Sequence, residues 1–168
     1  MGIYPDYYFT SVSCVPARFL LGIGIKGLLI DLDNTLTADG SQHLSEDISG
    51  WVKKIKSAGI RLLIISNNHE PRVRPFAESA GMRYLCEAGK PAGRCLGEAL
   101  GLLGVKKHEA AVIGDQLFTD ILFAKRCGII SVLVEPVGED RHAGAGVKRF
   151  FERPVRKRLK RREHDKDR

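Results

Sequence analysis

The chain of 168 residues has no apolar run approaching the roughly 20 residues that a membrane-spanning helix needs. The longest one near the start, Phe19 to Ile25, is interrupted by glycines. The first residues do not show a charged region followed by an apolar stretch and a small-residue cleavage site, so no secretory signal is read there. Cysteine is scarce: Cys14, Cys86, Cys95 and Cys127 lie far apart and form no C-x-x-C pair. That argues against a zinc ribbon and against a disulfide scaffold, and makes a reduced, cytoplasmic setting the expectation. Two phosphate-binding signatures are also missing. Without G-x-x-x-x-G-K-[ST] there is no P-loop, and without G-x-G-x-x-G after the first strand a dinucleotide site is not expected.

What is present fits one globular domain with a tail: 43% hydrophobic residues, 28% charged residues and a mean hydropathy of -0.13. The formal charge of +7 is concentrated at one end. The last 21 residues, Lys148 to Arg168, hold 11 Lys and Arg against four acids, whereas the other 147 residues balance 16 bases with 16 acids. The basic character therefore describes the tail and not the domain. We read residues 1–23 as a segment packing on or near the core, 24–137 as the domain, and 138–168 as a glycine-containing linker and basic tail.

Within the domain, apolar runs of strand length alternate with helical patterns. Gly27 to Asp33 reads as a strand ending in carboxylates. Ser45 can cap a helix to about Ser57, because Ile48, Trp51, Val52 and Ile55 share one face. Ile60 to Ile65 is a second strand, followed by Ser66-Asn67-Asn68. A helix beginning near Pro71 ends at Gly81, and a short strand spans Arg83 to Cys86. A helix follows Gly89-Lys90-Pro91 and runs to about Leu103. Ala110 to Ile113, a helix over Phe118 to Arg126, and a fifth strand over Ile129 to Val134 complete the pattern. Such alternation implies an α/β Rossmann-like three-layer sandwich, a parallel sheet of about five strands with helices on both faces. Ligands bind such sheets beyond the carboxyl ends of the strands. Polar groups collect at those ends: Asp31 and Asp33, Ser66 and Asn67, Lys90, and Asp115.

Asp31 and Asp33 stand two apart, so an extended strand would aim both the same way. Close carboxylates repel unless a cation or proton lies between them. With Asp115 they make a set of hard oxygen ligands suited to Mg²⁺. Neutral donors at Ser66 and Asn67 and the charge of Lys90 complete what a phosphoryl group requires for positioning and neutralisation.

These residues, in this order, resemble the haloacid dehalogenase (HAD) superfamily. Asp31-Leu32-Asp33-Asn34-Thr35 looks like its D-x-D-x-T motif, Ser66 its second motif, Lys90 its third, and Gly114-Asp115 through Asp120 its G-D-x-x-x-x-D. Between Thr35, Ser66, Lys90 and Asp115 lie 30, 23 and 24 residues. GIKGLLIDLDNTL, ISNN and GDQLFTDI are similar to the YqeG-type branch, which includes phosphatidylglycerophosphatases. The resemblance implies Asp31 as a nucleophile forming an aspartyl-phosphate, and Asp33 as general acid and then base. It implies Ser66, Asn67 and Thr35 as substrate-binding residues and Lys90 as the catalytic cation. Mg²⁺ would be held by Asp31, the main-chain carbonyl of Asp33, and Asp115, with Asp120 in support. The intervals leave no room for the inserted cap domain usual in the family, so the resemblance implies an open site able to take a phosphate on something large.

Plainer readings exist for single residues. Ser66 can cap a helix, Lys90 can be a solvated loop lysine, and Asp120 can simply favour a helix dipole. His69 reads as a solvated loop histidine, and Cys95 and Cys127 as core. The basic tail suits an anionic membrane surface, or RNA bound through its phosphates. The expected activity is therefore a Mg²⁺-dependent phosphatase acting on a phosphomonoester. A phospholipid headgroup such as phosphatidylglycerophosphate leads, ahead of a soluble sugar phosphate or nucleotide, or an RNA- or ribosome-binding role. The expected location is cytoplasmic, peripheral on the inner face of the membrane.

Overall fold

The computed structural model describes residues 3–138 and Arg156; the rest of the basic tail lies outside them. Six strands form one parallel sheet: β1 (Tyr7–Phe9), β2 (Gly27–Ile30), β3 (Arg61–Ile65), β4 (Arg83–Leu85), β5 (Ala110–Gly114) and β6 (Ile130–Val134). Their order is β1-β6-β5-β2-β3-β4. The parallel α/β reading holds, with one more strand than expected. The extra edge strand comes from the aromatic N-terminal stretch, where Tyr7, Tyr8 and Phe9 pair with Val132, Leu133 and Val134. Three residues are too few to show a period in sequence. What docks them is a reciprocal clamp: Asp6 N–H donates to Ser131 O at 3.1 Å, while Ser131 N–H and Oγ donate to Asp6 Oδ2 at 2.9 and 2.7 Å.

Alternation along each buried strand sends successive side chains to opposite faces. Leu28, Ile30, Leu62, Ile64, Ala111 and Ile113 pack beneath α1 (Ala17–Gly22), α2 (Glu46–Ser57) and α3 (Glu70–Ser79). Leu29, Leu63, Ile65 and Val112 pack beneath α4 (Leu96–Leu103) and α5 (Leu122–Cys127). Both faces are thus covered by helices. In α2 the expected face is the buried one, Ser45 Oγ accepts from the Ile48 N–H at 3.4 Å, and Trp51 Nε1 donates to Val15 O at 2.7 Å. Complete burial of a Leu or Ile is worth about 1.5–3 kcal/mol, and each face carries several. Among the described residues the chain between β2 and β5 holds α2, β3, α3, β4, α4 and short connections, with no separate domain inserted.

Two local departures matter for what sits on the rim. The strand expected to run to Asp33 ends at Ile30. The chain then turns through Asn34, whose φ of 63° is tolerated by Asn better than by most side chains. The helix expected from Phe118 begins as one π-type turn, Leu117–Ile121, before α5. Such turns re-aim side chains and recur at functional sites.

Candidate active site

Because every strand runs the same way, the carboxyl ends of β2, β3 and β5 open onto one rim. β2 is the first strand of the inner sheet, and the chain builds first to one side of it (β3, β4) and then to the other (β5, β6). The rim beside β2 is therefore the crevice where ligands bind in such sheets. Asp31 follows β2, with its N–H held by Ile113 O at 2.9 Å. Ser66 follows β3, Asp115 follows β5, and Lys90 lies in the loop after β4. All four are buried.

Lys90 is the hub. Its Nζ donates to Asp31 Oδ1 and to Asp120 Oδ1, both at 2.6 Å, and to Ile65 O at 3.0 Å. Asp31, Asp115 and Asp120 each offer a carboxylate oxygen, and these lie within 4.8 Å of one another. The structure thus groups Asp120 with Asp31 and Asp115, while the side chain of Asp33 points elsewhere. Asp120 reaches the cluster through the π-type turn, where its Oδ2 accepts from the Gln116 N–H at 3.1 Å. Thr35 Oγ1 donates to Asp115 Oδ1 at 3.5 Å, the outer limit of such a bond.

Burial, and then the neighbouring Asp120 carboxylate, push Asp31 up to about 7 against the pull of Lys90. Burial also works against the charge of Lys90, but Asp120 and Asp31 outweigh it and hold the ammonium above its ordinary range. Asp31 and Asp120 thus flank the ammonium, and Asp115 brings a third carboxylate oxygen within 4.8 Å of theirs. Hard oxygen donors clustered in a buried site fit a small divalent cation.

The other candidate residues divide into two groups. Ser66 Oγ accepts from the Asn68 N–H at 3.1 Å. Asn67 is occupied by the main chain of Lys90, donating Nδ2 to Lys90 O and accepting the Lys90 N–H at Oδ1, both at 2.8 Å. Its amide positions the lysine loop. Asp33 is held from α3 and the segment before it: Arg72 Nη2 donates to Oδ1 at 2.5 Å and Asn68 Nδ2 to Oδ2 at 2.6 Å. His69 precedes α3, is largely exposed and bonds Glu87 at 2.9 Å. Cys127 is core and Cys95 packs against it, half-buried.

Sequence reading passed over Asn68, Arg72 and Arg156. Arg156 Nη2 donates to the main-chain oxygen of Asp115, and its Nη1 to Glu135 Oε1 at 3.2 Å. Asn68 adjoins the polar strand end and had a signal in that position. Arg72 looks like any arginine on a charged helix, and Arg156 like one of many in the tail.

Comparison with known proteins decides the family. The model of the haloacid dehalogenase-like hydrolases matches residues 39–128. This chain belongs to that family. The hydrolase is 34% identical over 160 residues to the probable phosphatase YqeG of Bacillus subtilis, covering 95% of this chain and 93% of that protein. It is 30% identical over 124 residues to a phosphatidylglycerophosphate phosphatase of Arabidopsis thaliana, covering 68% of this chain and 35% of that one. In structure it is similar to an uncharacterised Listeria monocytogenes protein at a TM-score of 0.57 and 16% identity, over 71% of this chain and 85% of the other. The hydrolase is an enzyme of the phosphatase class, and its substrate carries a phosphate.

Proposed function

We propose that this hydrolase cleaves a phosphomonoester through an aspartyl-phosphate, with Mg²⁺ held by Asp31, Asp115 and the main chain at Asp33. The observation that carries this reading is the buried Asp31–Lys90–Asp120 chain beside Asp115. An Asp31 oxygen attacks phosphorus as the bond to the leaving oxygen breaks, and Asp33 gives that oxygen its proton. Asp33 then takes a proton from water, whose oxygen displaces Asp31 and releases phosphate. Ser66 stands where it can donate to phosphoryl oxygens, and Lys90 offsets the charge that builds on Asp31 and the phosphoryl group. The cation, when bound, draws charge from the phosphoryl oxygens. Asp120 and Asn67 serve by fixing Lys90.

As substrate we propose a phospholipid with a headgroup phosphate, such as phosphatidylglycerophosphate, whose leaving group is the lipid alcohol. Three observations support it. The Arabidopsis relative carries that activity in its name. No domain is inserted over the rim among the described residues, so a phosphate attached to something large can approach. The last 21 residues carry a charge of +7, enough to hold the enzyme on an anionic leaflet at about 1 kcal/mol per residue in range. This reading places the enzyme in the cytoplasm, at the inner face of the membrane.

The test is hydrolysis of micellar phosphatidylglycerophosphate beside p-nitrophenyl phosphate, with Mg²⁺ and with chelator, by wild type and Asp31→Asn. Metal-dependent lipid turnover lost in the variant is the expected result. Aryl turnover without lipid turnover moves the substrate to a soluble sugar phosphate or nucleotide. No turnover of either, with steeply salt-dependent RNA binding, overturns the catalytic reading.

A further inference from the structure

Among the described residues, three buried side-chain polar atoms lack a hydrogen-bond partner: Nε and Nη1 of Arg72, and Oε1 of Gln42. They belong to two residues in contact, since Gln42 Nε2 donates to Arg72 O at 3.5 Å. Arg72 also holds a carboxylate. The remaining Arg72 nitrogen, Nη2, donates to Asp33 Oδ1, and the Gly40 N–H reaches the same oxygen at 3.3 Å. Two of the three unsatisfied buried side-chain atoms among the described residues thus belong to the guanidinium that holds the acid assigned to the leaving group, and the third to a residue bonded to the main chain of that arginine.

Such a gathering has a physical cost. A buried donor without an acceptor forfeits about 1–3 kcal/mol, and more when it is charged. If Arg72 served only to fix Asp33, Nη2 alone would suffice and the other two nitrogens could face water. Instead they are buried, and residues 40 and 42 meet Asp33 and Arg72 through bonds of 3.3 and 3.5 Å, at the weak end of the range. A shift of residues 40–42 would leave a guanidinium edge facing whatever departs from phosphorus past Asp33.

We infer that Arg72 and Gln42 form a leaving-group subsite that selects phosphomonoesters whose alcohol carries a second phosphate group. Charged N–H donors match an anionic oxygen, and guanidinium pairs with phosphate through short, directional bonds. The Gln42 oxygen, an acceptor, matches a hydroxyl of the same alcohol. The inference rests on Asp33 acting at the leaving oxygen. It does not require a lipid: a phosphodiester in a headgroup and a phosphate on a small polyol present the same chemistry.

The experiment compares glycerol 1-phosphate with glycerol 1,3-bisphosphate, which differ by that second phosphate. We expect wild type to favour the bisphosphate in kcat/KM by about thirtyfold, the scale of one charge-assisted hydrogen bond. Arg72→Gln should erase the preference, mainly through KM, and Arg72→Lys should recover part of it. Equal losses on both substrates, with the preference intact, would make Arg72 a positioning residue for Asp33 and overturn the subsite. So would a wild type without preference. Calorimetric titration of the bisphosphate into Asp31→Asn, with and without Arg72→Gln, removes the dependence on turnover. Binding weakened tenfold or more by the second change supports the subsite even if the catalytic reading fails, and unchanged binding sinks it. Turnover of the bisphosphate without turnover of micellar phosphatidylglycerophosphate keeps the subsite and rejects the lipid.

Discussion

Asn67 grips Lys90 by its backbone: one amide donates to Lys90 O and accepts the Lys90 N–H, each at 2.8 Å. The lysine ammonium in turn joins Asp31 and Asp120. The polar residue expected at the substrate thus has its amide bonded to the loop that carries the cation. Asn67→Ala should lower kcat on p-nitrophenyl phosphate by roughly 10–100-fold, as misplaced catalytic groups do, with a smaller change in KM. Asn67→Asp keeps the acceptor, loses the donor and should fall between. Steady-state kinetics on the three proteins decides, and a loss confined to KM would return Asn67 to the substrate.

Gly114 ends β5 where the Asp120 side chain crosses it. A Cβ at Gly114 would lie 2.3 Å from Asp120 Cγ. Asp120 has little freedom to yield, since it holds Lys90 Nζ at 2.6 Å and the Gln116 N–H at 3.1 Å. Gly114→Ala should therefore destabilise the protein by about 1–3 kcal/mol, the usual cost of overpacking, and lose most activity with it. Denaturant unfolding measures the first effect. A variant as stable and active as wild type would mean that Asp120 is not locked in place.

How far sequence carried the reading depended on how local each cause was. Continuous apolar runs such as Leu28 to Ile30 show a buried strand directly, and the helical spacing of Ile48, Trp51, Val52 and Ile55 shows which face of α2 goes inward. Asp31, Ser66, Lys90 and Asp115 were found because strand ends are legible and the sheet brings them to one rim. Asp120 was ambiguous, since an acid in a first helical turn has a local justification and the π-type turn that redirects it leaves no periodic trace. Arg72 was invisible for a similar reason. Its partner Asp33 lies 39 residues away, and only the packing of α3 against the loop after β2 joins them.

The N-terminal strand supplies a prediction about pH. Burial opposes the charge on Asp6, but Lys125 Nζ at 2.5 Å and the Ser131 hydroxyl and N–H outweigh it, so the carboxyl titrates below its ordinary 3.8. A depressed pKa stabilises the fold above the unfolded value and loses that contribution as pH falls through the folded one. Asp6→Asn should cost about 1 kcal/mol at pH 7, the group being partly exposed and screened. The gap to wild type should hold down to about pH 4 and narrow below it. Urea unfolding across pH 3–7 is the measurement, and a gap that does not change with pH would remove the Asp6 charge from the docking of β1.

The clustering of carboxylates beside Lys90 leads to a prediction about metal and stability together. Carboxylate oxygens of Asp31, Asp115 and Asp120 lie within 4.8 Å of one another, so ionised together they repel, and a cation among them relieves that repulsion. A divalent ion that binds the folded site and not the unfolded chain stabilises by about 2.7 kcal/mol at a hundred times its Kd. For a domain near this size that raises Tm by roughly 5–10 °C. Asp115→Asn should behave in two opposite ways. In chelator its Tm should equal or exceed that of wild type, because one of the repelling charges is gone. In Mg²⁺ it should gain little, because a ligand is gone as well. Lys90→Met should show the reverse dependence, losing about 3–5 kcal/mol in chelator and recovering part of it with metal. Thermal unfolding of the three proteins in each buffer separates these cases. If Mg²⁺ raises Tm equally in wild type and Asp115→Asn, the cation is bound somewhere other than this cluster.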